Sequence, residues 1–207
     1  MARTDERVRT AEVLMTIVLS TASIWAVTQH SADSVALAFE RLQSQSPSEI
    51  KEASEQLVRL GKSDPKARDY IALHLPPLIE KGPKDYLGRW ITLVRLAGEL
   101  KIAEAAPALA KWLTIDNIGE VSTAGFIRLE NNPAGAALVQ IADLAIPAVI
   151  MVFDHGTLRE RRYAVYVLNQ INSSSAKRAL REQLNREPDQ DLRDFIRKSL
   201  SGSAAMP

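Results

Sequence analysis

The chain has 207 residues, long enough for one domain or two small ones. Apolar residues make up 46% and charged residues 25%, which excludes wholesale disorder, and aromatics at only 5% favour helices over a sheet. A net charge of +1 supplies no global field for nucleic acid or anionic lipid, and the absence of cysteine removes disulfides, thiolate metal sites, cysteine nucleophiles and a lipoprotein-type anchor together.

Arg3, Arg7 and Arg9 precede an apolar run from Val13 to Val27, and no charged residue falls between Val13 and Ala32. A basic start followed by a run of this length is the pattern of an export signal, with Ile24 and Ala26 before a cut near Val27. Asp5, Glu6 and Glu12 dilute the pattern. Left uncut, the run is a marginal membrane anchor, because a span needs roughly 20 apolar residues and its tail is polar. The arginines would then hold the N-terminus in the cytoplasm and place the rest of the chain outside. A buried first helix of a cytosolic protein is the third reading. Residues 1–27 are therefore expected to be an export signal or N-terminal anchor, and 28–46 a linker with a short amphipathic helix on Val35, Ala38, Phe39 and Leu42.

Ser46-Pro47-Ser48-Glu49 opens the next helix, with Ser46 and Glu49 expected to form a capping box. Ile50, Ala53, Leu57 and Leu60 line it, and Gly61 is expected to end it. Asp64-Pro65 starts another, with Tyr70, Ile71, Leu75 and Leu78. Pro76-Pro77 should kink or split it, and Gly82-Pro83 should stop it. Two further stripes follow, Leu87, Ile91, Val94 and Ala97, then Ile102, Ala106, Leu109 and Leu113. The stretch 114–132 has no clean helical period. Beyond Pro147, Ala148 to Phe153 is apolar and closes at Asp154-His155-Gly156. Thr157 caps a helix through Val165, Leu168 and Ile171. Ala176 to Leu184 comes next, and Leu192, Phe195, Ile196 and Leu200 give a last helix before a flexible tail at 201–207.

The chain faintly repeats itself. Ala97 to Pro107 aligns without a gap on Leu168 to Arg178, each continued by Ala and Leu, and Ile141 to Val149 shares the Pro-Ala-apolar ending. Leu57-Val-Arg-Leu60, Leu93-Val-Arg-Leu96 and Leu138-Val-Gln-Ile141 echo one another. Intervals of 31 residues from Pro76 to Pro107, 40 from Pro107 to Pro147 and 31 from Pro147 to Arg178 suggest one unit enlarged by nine residues within 114–132. Stacked units of this kind each fail to bury an apolar face alone and close a core only together.

These units resemble HEAT repeats, and more closely the short PBS-lyase HEAT-like variety. The resemblance rests on Ala97-Gly98-Glu99-Leu100 with Ala105-Ala106-Pro107-Ala108-Leu109, on Ile146-Pro147-Ala148-Val149, and on Arg159-Glu160-Arg161-Arg162-Tyr163-Ala164, and it covers about Pro47 to Leu200. Arg178 replaces the proline in the fourth unit, and Ser173-Ser174-Ser175 replaces the usual turn. The resemblance implies an all-α, right-handed α-α superhelix of about four helix pairs, an armadillo-type solenoid, over 47–200. Some relatives are di-iron hydroxylases that use His-Glu pairs, but no His-Glu pair occurs here, and nothing matches a bilin site.

Sites for chemistry are missing from the sequence. His30, His74 and His155 are too far apart for a helical metal motif, and there is no nucleophile elbow, phosphate loop or dinucleotide fingerprint. His74, between two leucines, is expected to be half-buried, and His155 to meet helix carbonyls. Asp189 and Asp191 are expected to be solvated. Trp90 and Trp112 are read as core residues, with interface anchors as the alternative. The C-terminal units are locally basic, which suggests a groove for an acidic protein or polyanion as the alternative to a solvated face laced by ion pairs.

The expectation is thus a non-catalytic, exported scaffold or adaptor that binds through its inner face or the 114–132 insertion, with no cofactor and no metal. Its partner is an unidentified protein. Arg159, Arg162, Arg178, Arg181 and Phe126 are the candidate contact residues, and the N-terminal segment is the candidate membrane attachment. A cytoplasmic nucleic-acid-binding helical repeat, an enzyme with an unrecognised site and a purely structural spacer with no partner are the rivals.

Overall fold

A computed structural model describes residues 33–83, 86–114 and 132–202. Among these residues every regular element is helical. Residues 33–41 form α1. Then follow α2 (Pro47–Ser63), α3 (Pro65–Glu80), α4 (Leu87–Glu99), α5 (Ala106–Ala110), α6 (Pro133–Ile141), α7 (Ile146–His155), α8 (Leu158–Ile171), α9 (Ser174–Leu184) and α10 (Gln190–Leu200). Short 3-10 turns at Ala103–Ala105 and Ala142–Ala145 lead into α5 and α7.

The helices pile up in chain order as two layers. In one, α2 packs on α4, α4 on α6, α6 on α8 and α8 on α10. In the other, α3 packs on α5, α5 on α7 and α7 on α9. Between the layers α3 meets α4, α5 meets α6, α7 meets α8 and α9 meets α10. Helix α1 joins the odd layer through Phe39, whose ring lies 5.8 Å from Tyr70 and 6.2 Å from His74 of α3. One connected core runs the whole length, from Val35 in α1 to Ile196 in α10. The helices bury their apolar residues only against one another, so none is stable without its neighbours.

Small residues set the closest approach. Gly98 of α4 faces Ala137 of α6, and both are buried, as are Ala97 and Ala134 on the same two helices. A methyl on Gly98 would stand 3.0 Å from the Ala137 Cα and collide with the Gln140 side-chain oxygen. Gly61 likewise lies inside α2, facing the methyl tips of Leu100 and Ile71. It does not end the helix as expected, which runs on to Ser63.

The helix ends follow local chemistry, with two departures. Thr157 accepts from the Glu160 N–H while Glu160 accepts from the Thr157 N–H, a complete capping box. Asp64, Asn132, Ser173 and Asp189 cap α3, α6, α9 and α10, so Asp189 is a helix cap and not merely a solvated carboxylate. The capping box expected at Ser46 is absent: the Ser46 hydroxyl pairs with that of Ser48 at 2.9 Å, and Pro47 alone opens α2. Nor does Pro76-Pro77 split α3, which is continuous through both prolines to Glu80, with Gly82 at φ 74° in the turn beyond. Pro76 therefore does not mark a helix start. Pro65, Pro107 and Pro147 do, each in the first turn of an odd-layer helix.

The repeat shows in the backbone. Lys101 and Asn172 occupy the same position of the gapless alignment, and both are left-handed, at φ 51° and 53°. At Lys101 the Ile102 N–H reaches the Ala97 carbonyl at 2.9 Å and the Lys101 N–H reaches that of Gly98 at 3.0 Å, the double closure that usually ends on glycine. The third copy is shorter. Leu93 precedes Pro107 by fourteen residues, but Leu138 precedes Pro147 by only nine. The chain makes that tighter turn at Ala142, with φ 62° and ψ −135°. The stretch Pro133–His155 is long and apolar enough to cross a membrane by length and composition, with mean hydropathy 2.2. In the fold it is interrupted at Ala142, and its halves pack on α4, α5, α8 and α9.

Candidate functional site

The two layers present different outer surfaces. The exposed side chains of α2, α4, α8 and α10 are polar beyond each helix's first residue, Glu52, Glu55, Arg59, Arg95, Arg162 and Lys198 among them. The odd layer instead exposes Leu37 on α1, Leu73 on α3 and Met151 on α7, at 56%, 70% and 59%. Each stands on the side of its helix away from the buried stripe, Leu73 opposite Ala67, Ile71, Leu75 and Ile79, for example. Leu144 is exposed in the turn before α7, while Tyr86 and Leu158 emerge at the starts of α4 and α8. Sequence periodicity gave no sign of Met151, because the run Ala148 to Phe153 is apolar throughout.

The arginines singled out from sequence divide between the surfaces. Arg159 and Arg162 leave α8 on the outside of the even layer, the Arg159 guanidinium lying 6.0 Å from the Tyr163 ring centre. Arg178 and Arg181 leave α9 on the outside of the odd layer, opposite Ala176, Ala179, Leu180 and Gln183. The two pairs thus emerge on opposite sides of the stack and do not share a groove. Phe126 and most of the 114–132 insertion lie outside the described residues, but Asn132 fixes where the insertion ends. Its side-chain amide donates to the Leu113 carbonyl and its oxygen accepts from the Gly135 N–H at 2.7 Å.

Part of the basic C-terminal character is structural. Arg161 donates to both oxygens of Glu187, at 3.1 and 3.0 Å, and to the Gly156 carbonyl at 2.9 Å. Glu187 also accepts from Gln183 and from the Asp189 N–H, and its side chain is wholly buried. Arg193 donates to the Glu187 and Pro188 carbonyls, and Arg197 pairs with Asp194. The sequence signal for this network was only an acidic residue before a proline between two helices.

Trp90 is 2% exposed and donates from Nε1 to the Ile79 carbonyl at 3.1 Å, so it belongs to the core, with Trp112 edge-on at 6.2 Å. His74 is exposed and stacks on Tyr70 at 4.1 Å, so the half-buried environment expected for it does not occur. His155 lies with Nδ1 3.2 Å from the Met151 carbonyl, the helix-end contact expected of it. Tyr166 packs on Phe195 at 4.8 Å; burial holds its hydroxyl above the ordinary tyrosine pKa of 10.0, and the Arg162 charge opposes that rise. An open groove of about 660 Å³ runs over the α4–α6 seam between Ile91, Arg95, Lys101, Pro133, Ala136 and Gln140. Among the described residues no group of three or more histidines or carboxylates is placed to hold a metal.

The fold and these surfaces define an all-helical protein whose helices pack in sequential pairs, consistent with a helical-repeat arrangement. No protein-family model matches the chain, and comparison with curated proteins finds no match.

Proposed function

We infer that this chain is a non-catalytic protein-binding scaffold of HEAT-like helix pairs in a right-handed superhelix, exported or anchored through its N-terminal segment. It binds through the outer surface of the odd layer. The observation that carries this reading is the asymmetry of exposed apolar side chains: Leu37, Leu73 and Met151 lie on helices of one layer, while the even helices are polar outward beyond their first residues. Scattered leucines on a surface need no explanation, but exposed large apolar side chains that, past the first residue of a helix, all stand on one face of a two-sided stack do. Leu37, Leu73 and Met151, on α1, α3 and α7, offer a partner separate apolar anchors along one face, and a stack of helices offers extended area without a deep pocket.

The test is photocrosslinking. A photoreactive amino acid replaces Leu73, Met151, Glu55 or Arg95 one at a time, and the chain is irradiated in the cells that make it. Protein adducts are expected from positions 73 and 151 and not from 55 and 95. Adducts distributed equally over both surfaces, or none at 73 and 151, overturn the reading. The nucleic-acid alternative draws on the arginines of α8 and α9. Their division between two surfaces works against it, since duplex binding needs cations aligned along one phosphate track.

A further inference from the structure

Helices α7 and α9 pack on each other in the odd layer, α9 with a basic outer side and α7 with an exposed apolar side chain. Lys177, Arg178 and Arg181 of α9 are exposed, and among the described residues none of them enters an ion pair. Lys51, Arg59, Arg95 and Lys198 are likewise exposed and outside any ion pair among the described residues, while other cations are neutralised. Lys62 pairs with Glu99 at 2.7 Å, Arg41 with Glu52 at 2.9 Å, and Lys111 with Glu80. Arg178 and Arg181 are three residues apart and project together, away from the buried stripe of α9. Met151 on the adjacent helix projects from the same surface and is 59% exposed. Two guanidinium forks match carboxylates in shape as well as charge, and methionine adapts to varied apolar contacts.

We propose that this part of the odd layer docks an acidic segment of a protein partner, whose carboxylates pair with Arg178 and Arg181 while an apolar side chain lies on Met151. The proposal rests on the protein-binding reading above and adds the partner's chemistry. A protein fits better than a nucleic acid on two grounds. The cations occupy one short helix with Glu182 among them, too brief and too mixed a track for a duplex. The flanking thioether also gives a phosphate backbone nothing to bind. Charge complementarity would act mainly on encounter and partner choice, with the apolar contact holding the complex.

The probe is a fluorescein-labelled 20-residue peptide of glutamate with leucine at every fourth position, titrated into the full chain and followed by anisotropy. Binding is expected to weaken at least tenfold in the double variant Arg178→Glu/Arg181→Glu and on raising sodium chloride from 50 to 300 mM. It is expected to be unchanged in the charge-matched control Arg59→Glu/Arg95→Glu on the opposite surface, with thermal melts confirming that both variants fold. Absence of peptide binding, equal loss in both variants, or tighter binding of a 20-base-pair DNA duplex overturns the proposal. A photoreactive residue at position 181 completes the test in cells, where the crosslinked peptide should be rich in aspartate and glutamate. Protein adducts at 73 and 151 with a neutral or basic peptide at 181 would refute the acidic partner and leave the binding face standing. Loss of adducts at all three positions ends the binding reading itself.

Discussion

Arg161 of α8 holds Glu187 by two parallel hydrogen bonds of 3.1 and 3.0 Å, across 26 residues of sequence, and the carboxylate it grips has no solvent exposure. This pair ties α8 to the connection between α9 and α10, because Glu187 also orders the Asp189 N–H just where Asp189 caps α10. Breaking such a pair from one side leaves a buried charge behind, which is costlier than lacking the pair altogether. Arg161→Ala is therefore expected to destabilise the chain by roughly 3 kcal/mol. Arg161→Ala combined with Glu187→Leu should recover part of that loss. Urea unfolding of the two variants checks the order, and a double variant less stable than the single one would refute it.

The seam between α4 and α6 makes a second prediction. Gly98→Ala adds helix propensity worth about 1 kcal/mol, but the new methyl meets the Ala137 backbone at 3.0 Å and the Gln140 side chain. Overpacking against backbone costs about 1–3 kcal/mol, so a net loss is expected. Gly61→Ala is the contrast, since its nearest neighbours are the methyl tips of Leu100 and Ile71, which can turn aside. Its expected effect is near zero. Thermal melts of both variants separate the cases.

Much of this architecture was readable from apolar spacing and punctuation. The stripes on Ile50, Ala53 and Leu57, on Ile102, Ala106, Leu109 and Leu113, and on Leu192 and Ile196 are buried as their periods require. Thr157 caps α8 as its place before the apolar stripe implies, and the structure adds Glu160 as its capping-box partner. What failed were readings of single residues whose meaning depends on a distant partner. Gly61 looks like a stop until Leu100 is seen filling the space its side chain would take. Pro76-Pro77 looks like a break, yet α3 continues through both. The candidate arginines were equally ambiguous, because one-dimensional charge density cannot say that α8 and α9 belong to different layers or that Arg161 is committed to Glu187. The exposed Leu73 was hidden for the same reason, as its neighbours Ala72 and Leu75 turn inward.

Backbone strain at the shortened turn gives a third prediction. Ala142 sits at φ 62° and ψ −135°, where a side chain is disfavoured by about 1–3 kcal/mol. Ala142→Gly removes that strain, at the cost of a more flexible unfolded chain. A net gain of about 1 kcal/mol is expected, or a rise of about 2–4 °C in melting temperature for a chain of this size. Lys101→Gly, at φ 51° in the corresponding turn after α4, should act in the same direction. A fall in melting temperature for Ala142→Gly would contradict the strain argument.

Alkaline pH supplies the fourth. Burial raises the Tyr166 pKa above 10.0, with the Arg162 charge opposing. The folded state therefore keeps the phenolic proton at pH values where the unfolded chain has released it. Stability from this group is complete below pH 10, declines as pH rises from there, and is lost by the point at which the folded tyrosine itself ionises. Tyr166→Phe, which retains the ring against Phe195, should flatten the decline in melting temperature above pH 10. Arg162→Gln removes the opposing charge and should push the Tyr166 titration higher still. Absorbance at the tyrosinate band, compared across wild type, Tyr166→Phe and Arg162→Gln, isolates the group. A titration shifted downward in Arg162→Gln would mean that the arginine charge does not reach the phenol.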